Sequence, residues 1–397
     1  MTNRILTTHV GSLVRPPKLV TFLRAIEDGG DYDKEAYLAC LQESIDEVVR
    51  QQQEAGIDFV SDGEFGKGIN WAFYIQRRLS GIHHRDMTEE EKKDPSLGPE
   101  GGPDREKFAE FYSEYEKIGF TKRRRTRVIC DGPLQYTGQD QIQRDIANLK
   151  HALARVKVEG GFLPVVAPAS ALPNVKDEYY DPEGKTGSEE KFLIGLAEAL
   201  KVEYRAVVDA GLKVQIDDAF LTTQYEKLVP PMTEDQYLRW VELRVNAINH
   251  ALEGIPQEKV RYHICWGSWN GPHEFDVPFK TIVNQVLRVN AGHYLFEAAN
   301  PRHEHEWKVW QDVDLPDNKI LVPGVVSHST NVVEHPELVA DRLERLAKIV
   351  GRERVMAGTD CGFAQSPFLQ RVHPSIVWAK LTALSQGAAI ATKRLWG

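Results

Sequence analysis

Short apolar, β-branched runs recur along the chain. Each closes on small or polar residues, and a longer stretch of helical period separates it from the next. The runs are ILTTHVGS (5–12), DFVSDGE (58–64), FLPVVAPAS (162–170), KVQIDDAF (213–220), RYHICWG (261–267), GHYLFEAAN (292–300), KILVPGVVS (319–327) and RVMAGTDCG (354–362). Strands covered on both faces lose the in–out alternation and read as continuous apolar stretches. Between the runs, 188–211 repeats apolar residues every 3.6 positions and stops at a glycine, and 336–351 opens on proline and closes on glycine. Eight strands alternating with helices predict an α/β fold, a closed (β/α)8 TIM barrel that uses 1–397 as a single domain. An open doubly wound sheet would also alternate, but no Gly-x-Gly-x-x-Gly follows any run.

One segment breaks the alternation. Residues 83–126 are densely charged and poor in apolar period, and RVICDGPLQYTG (127–138) reads as a hairpin arm. The stretch 83–138 is therefore expected to be an insertion after the second strand. It is long enough for a lid or a partner surface, and equally fits a solvated excursion.

Charge narrows the partners. With 49 basic and 58 acidic residues the formal charge is −9, which argues against a phosphate-neutralising nucleic-acid binder. The one basic run, Lys122 to Arg127, reads as a solvated loop or hairpin arm. No window approaches the apolar length of a membrane span, and MTNRILTTHVGS lacks a signal-peptide core. A cytoplasmic protein with small-molecule partners is the expectation; the oligomeric state is left open, a homo-oligomer included. The four cysteines, Cys40, Cys130, Cys265 and Cys361, are too scattered for a disulfide framework, so in a reducing compartment each is free, metal-bound or catalytic.

Barrel chemistry collects at the C-terminal ends of strands. Those ends carry His9 and Ser12, Asp62 and Glu64, Asp217 and Asp218, His263 and Cys265, Glu297, His328, and Asp360 and Cys361. Residues i and i+2 of a strand share a face, so His263 and Cys265 project together. Such a pair is often core filler. With Cys361 and Glu297 arriving from equivalent strand ends, the set becomes one imidazole, two thiolates and a carboxylate, a tetrahedral donor set for Zn2+ rather than for magnesium or calcium. His303 and His305 in PRHEHEW look more like a metal motif by eye, but they fall where the next helix should begin. Residues i and i+2 diverge on a helix, so these histidines are expected near the site or at the surface. Cys40 and Cys130 are expected to be small buried hydrophobes.

Seven of these motifs, taken in order, resemble the catalytic barrel of cobalamin-independent methionine synthase: HVGS, SDGEF, VQIDDAF, YHICWG, LFEAAN, VPGVVSHS and GTDCGF, covering residue 5 to about 365. The resemblance implies a barrel like those of methionine synthase and uroporphyrinogen decarboxylase. It also implies His263, Cys265, Glu297 and Cys361 as zinc ligands. Ser12, Glu64 and Asp217 would hold the amino-acid thiol, and His328 would be the acid that helps the methyl donor leave. The activity implied is zinc-dependent S-methylation of homocysteine or a similar thiol, held as a zinc thiolate, from a folate or another methyl carrier. The chain lacks the second, N-terminal barrel of the full synthase, and strand three reads LPVVAPAS where the family has Met-Leu-Thr-Gly-Pro-Val-Thr. An alternative is a thiol alkyltransferase of the epoxyalkane:coenzyme M transferase type, in which Arg15 is the candidate cation for a sulfonate. A non-enzymatic zinc module is disfavoured, because a site with an exchangeable glutamate suits catalysis.

Overall fold

The computed structural model describes residues 3–94, 97, 102–119, 126–182 and 188–397. Ten strands form two sheets among the described residues: β1 (Phe59–Val60), β2 (Leu79–Asp86), β3 (Thr126–Tyr136), β4 (Gly160–Val166), β5 (Lys176–Asp177), β6 (Lys213–Asp218), β7 (Val260–Ile264), β8 (His293–Glu297), β9 (Ile320–Val326) and β10 (Gly358–Thr359). Seven make a parallel sheet in the order β1-β4-β6-β7-β8-β9-β10. Every residue of β7 and β8 is buried, as expected of strands covered on both faces. The sheet curls. Leu6 to Thr8 is hydrogen-bonded along both its sides: Thr8 N to Ala357 O at 2.9 Å and Ala357 N to Leu6 O at 2.8 Å on one, Phe59 N to Thr7 O at 3.1 Å on the other. The first run thus spans the two edges of the sheet, pairing in parallel with Ala357 and with Phe59.

Helices return the chain between strands. The predicted helix 188–211 is observed as Ser188–Asp209, and 336–351 as Pro336–Val350 with Gly351 at φ 101° just beyond it. Pro374–Trp396 closes the chain and packs along Pro336–Val350. None of the described helices is long and apolar enough to cross a membrane.

β2, β3 and β5 form a separate three-stranded sheet, with β2 and β3 antiparallel. This excursion leaves the main sheet by Leu79, earlier than residue 83. Within it lie two helices, Pro103–Lys107 and Ala109–Gly119. Lys122 to Arg125 of the basic run lie outside the described residues, and Arg127 is on β3. The helices lean on the loop that follows β7. Tyr112 OH donates to Asp104 Oδ2 at 2.6 Å and accepts from Trp269 Nε1 at 3.1 Å, Glu274 N donates to Asp104 Oδ1 at 3.0 Å, and Lys107 pairs with Glu274 at 2.7 Å.

A buried ion network ties the base of the excursion to the body. Arg78 contacts Asp145 at 2.6 Å and Glu203 at 2.7 Å. Tyr74 and Tyr136 donate their hydroxyls to Glu203 at 2.9 and 3.0 Å. Removing one member of such a network leaves buried charge uncompensated. Arg78→Met is therefore expected to cost about 3–5 kcal/mol, measured as a drop in the urea midpoint at unchanged slope. A change within about 0.5 kcal/mol would show the network to be solvated.

Candidate metal centre and active site

The side chains singled out from the sequence come together at the C-terminal ends of the main-sheet strands. His263 lies on β7 with Cys265 just past its end, and Cys361 lies two residues past β10. One donor atom from each of the three lies within 4.8 Å of the others, all buried. The two sulfurs are 3.5 Å apart, close to the roughly 3.8 Å that two thiolates at about 2.3 Å from a tetrahedral zinc would span. His263 Nε2 is buried and has no hydrogen-bond partner.

The other nitrogen of that ring is committed. Asp217 on β6 and His263 on β7 are paired in register, and Nδ1 meets Asp217 Oδ1 at 3.0 Å. A carboxylate on one imidazole nitrogen fixes the ring and leaves the other free to ligate, the arrangement metal-binding histidines use. Burial would lower the His263 pKa, but the hydrogen bond to Asp217 and the nearby Cys361 sulfur lift it to about 10. Between the two thiols, the hydrogen bond from Cys265 holds Cys361 well below the ordinary thiol range and raises Cys265. Cys361 is thus the thiolate of the pair, facing His263.

Glu297 stands beside these three rather than within their tight group. Its Oε1 accepts from Trp266 N at 3.0 Å, and Asn300 Nδ2 donates to its Oε2. It forms a second buried group with His328 and Asp360, again with donor atoms within 4.8 Å of one another. Burial, with the nearby Cys361 charge, pushes its carboxyl up to about 7. Asp360 Oδ1 accepts from Ala298 N and Ala299 N at 2.8 and 2.9 Å, and its Oδ2 has no hydrogen-bond partner. Both ring nitrogens of His328 are buried without partners, and burial lowers its pKa to about 4.

Ser12 and Glu64 flank the centre on the side of β1. Ala364 N donates to Ser12 Oγ at 3.3 Å. Gly362 lets Ser12 approach, because a Cβ there would run into Ser12 Oγ. Gly11, at φ 135°, performs the same service toward Pro164, whose Cγ would lie 2.5 Å from an added Cβ. Glu64 has φ 61°, a left-handed conformation that costs a non-glycine residue on the order of 1 kcal/mol or more. Its Oε2 is 3.3 Å from Lys67 Nζ, and burial pushes its pKa up to about 7. Arg15 is spent on the backbone: Nη2 donates to Glu64 O at 2.5 Å and to Lys67 O at 3.3 Å, and Nη1 to Ala364 O at 3.1 Å.

Residues 185–376 match the family model described as "Cobalamin-independent synthase, Catalytic domain". That match, over just under half of the chain, makes residues 185–376 similar to this catalytic domain. The chain is 26% identical to the 2-hydroxypropyl-CoM lyase of Xanthobacter autotrophicus, over 91% of this chain and 89% of that one. It is 24% identical to the methionine synthase of Sulfolobus acidocaldarius, over 98% and 93%. In fold it is similar to a B12-independent methionine synthase from Shewanella solved with selenomethionine, at a TM-score of 0.66, 19% identity and 99% coverage of both chains.

The remaining histidines sort by their partners. His303 is buried, 2.8 Å from Glu306 and 3.0 Å from Asp276, and lies against Trp266; His305 is exposed. His9 accepts from Gly11 N at Nδ1 and meets Gln52 at 2.7 Å through Nε2, while burial holds its pKa to about 3, so it is a neutral structural histidine. Cys40 and Cys130 are buried free thiols in the apolar core. Sequence reasoning missed the pairing of Asp217 with His263 and the presence of Lys67 beside Glu64. Aligning QIDD on β6 against RYHI on β7 would have revealed the first.

Proposed function

We propose that the chain is a zinc-dependent thiol S-methyltransferase. Its acceptor is homocysteine or a similar thiol, and its donor is a folate or another methyl carrier. The observation that carries this reading is the convergence of His263, Cys265 and Cys361, with sulfurs 3.5 Å apart and a buried His263 Nε2 left without a hydrogen-bond partner. The residues fit zinc: two soft sulfurs, an imidazole oriented by a carboxylate, and Glu297 alongside as a carboxylate that can join or leave. Zinc, when bound, supplies the positive charge that keeps a thiol deprotonated at neutral pH.

The chain's own residues do the rest. Ser12, Glu64 and Asp217 shape the acceptor's end of the site, and Asp217 also steadies His263. His328 gives the proton that the departing group of the donor requires. Leu6 to Thr8, bonded to both sheet edges, serves as the eighth member of a (β/α)8 barrel. The relative named 2-hydroxypropyl-CoM lyase supports a second reading on the same centre, a thiol alkyltransferase acting on an epoxide. In that reading Arg15 remains a candidate cation: its terminal nitrogens hold carbonyls, and its buried Nε has no partner.

X-ray absorption of the zinc-loaded protein during a thiol screen tests the proposal. An added zinc–sulfur contribution on titration with homocysteine is expected. If no thiol changes the sulfur count, the thiol-transferase reading is wrong.

A further inference from the structure

We infer that Lys67 is the docking cation for an anionic head group on the acceptor thiol, a carboxylate or a sulfonate. This rests on the thiol-transferase reading above. Lys67 is 6% exposed, and its ammonium carries three N–H donors. Its one hydrogen bond is a long one, to Trp71 O at 3.4 Å. It faces Glu64 Oε2 at 3.3 Å, without hydrogen-bond geometry, and lies over the Tyr74 ring at 4.5 Å. A buried ammonium with donors to spare is costly unless something completes its shell. The small cavity beside Lys67, about 10 Å³, opens toward Arg78, Asp145 and Glu203 and has room for about one water.

The surrounding charges point the same way. Glu64 and Asp217 are the carboxylates that an incoming ammonium would seek. Each already has a partner in the protein, the Lys67 ammonium for Glu64 at 3.3 Å and the His263 ring for Asp217 at 3.0 Å. Arg15 holds the turn that carries Glu64 and Lys67 by their carbonyls, so it sets the position of Lys67. At this turn the Lys67 ammonium keeps unspent donors, and so does Arg15, whose buried Nε has no partner. An arriving anion finds them, whereas an arriving ammonium must first displace Lys67 from Glu64. Two kinds of thiol supply that anion: an amino-acid thiol through its α-carboxylate, or an amine-free thiol through a terminal sulfonate or carboxylate.

The test is direct binding to cobalt-substituted protein, read by the sulfur-to-cobalt charge-transfer band. The thiols are homocysteine, 2-mercaptoethanesulfonate, 3-mercaptopropionate and, as the ammonium-only control, 3-aminopropane-1-thiol. Lys67→Gln should raise the Kd of every anion-bearing thiol roughly tenfold or more and move the aminothiol less than about twofold. Lys67→Arg should keep the preference for anions. Glu64→Gln, which frees Lys67 of its competitor, should tighten the anionic thiols and weaken the aminothiol; this variant carries the test if Lys67→Gln does not fold. Tighter wild-type binding of homocysteine than of the sulfonate identifies an amino-acid acceptor, and the reverse order an amine-free one. Equal weakening of all four thiols by Lys67→Gln, or unchanged binding of the anionic ones, overturns the inference. If no thiol gives the band in cobalt-loaded wild type, the thiol-transferase reading falls, and the inference with it.

Discussion

Cys361→Ser protein is expected to emerge from purification with little zinc, where the parent carries about one ion per chain. Cys361 is the thiolate of the pair and is the residue that His263 faces, so its loss removes both a soft donor and the anion that offsets the metal's charge. A serine hydroxyl stays protonated at neutral pH and binds zinc poorly. Cys265→Ser should do the same, while Cys40→Ser and Cys130→Ser, deep in apolar packing, should retain the metal. Methyl transfer should fall to background in both site variants. Stability should fall much less, because Tyr262 and Tyr294 on β7 and β8 and the strands around them pack without help from the ion. Elemental analysis beside thermal melts separates the two effects. Full zinc occupancy in both serine variants would remove the assignment, and unfolding of both would show the ion to be structural.

The parts of this molecule legible in the sequence are those set by local pattern. Strands β4, β6, β7, β8 and β9 announce themselves as apolar runs because crossover helices bury both their faces. β1 and β10 shrink to two residues each, and the first run holds only single bridges at Thr7 and Thr8, since those pairings depend on sheet curvature that no local pattern encodes. The helices of the excursion were missed for a different reason. Tyr112 is buried against Asp104 and Trp269, so what organises that helix is a contact across the chain rather than an apolar period. In the site, His263 and Cys265 were visible because a strand has a period of two. The Asp217–His263 hydrogen bond needed the β6–β7 register, and the contact of Lys67 with Glu64 needed a turn in which Glu64 takes a left-handed conformation.

His328→Asn should slow turnover roughly 100-fold while zinc content and thiol affinity stay near the parent's. The buried ring has no hydrogen-bond partner at either nitrogen, an arrangement that costs stability unless a bound molecule supplies one. It lies with Glu297 and Asp360, close enough to Cys361 to feel its charge. With its pKa lowered by burial to about 4, the ring rests neutral at pH 7 and carries one N–H. To act as the acid it must draw on its minor imidazolium form, so the rate with a donor that needs a proton should rise as the pH falls toward 4. Asparagine keeps a donor of similar reach but cannot give up its proton, so the substitution separates proton transfer from simple hydrogen bonding. A donor whose leaving group takes no proton, such as methylcobalamin, should escape most of the loss. The comparison is therefore made on one variant with two donors: a large drop with the folate or epoxide and a small one with methylcobalamin identifies His328 as the acid. Parent-like turnover with the folate and the epoxide would leave the ring a packing element and move the search for the acid to Asp360, whose Oδ2 is the other unpartnered atom of the same group.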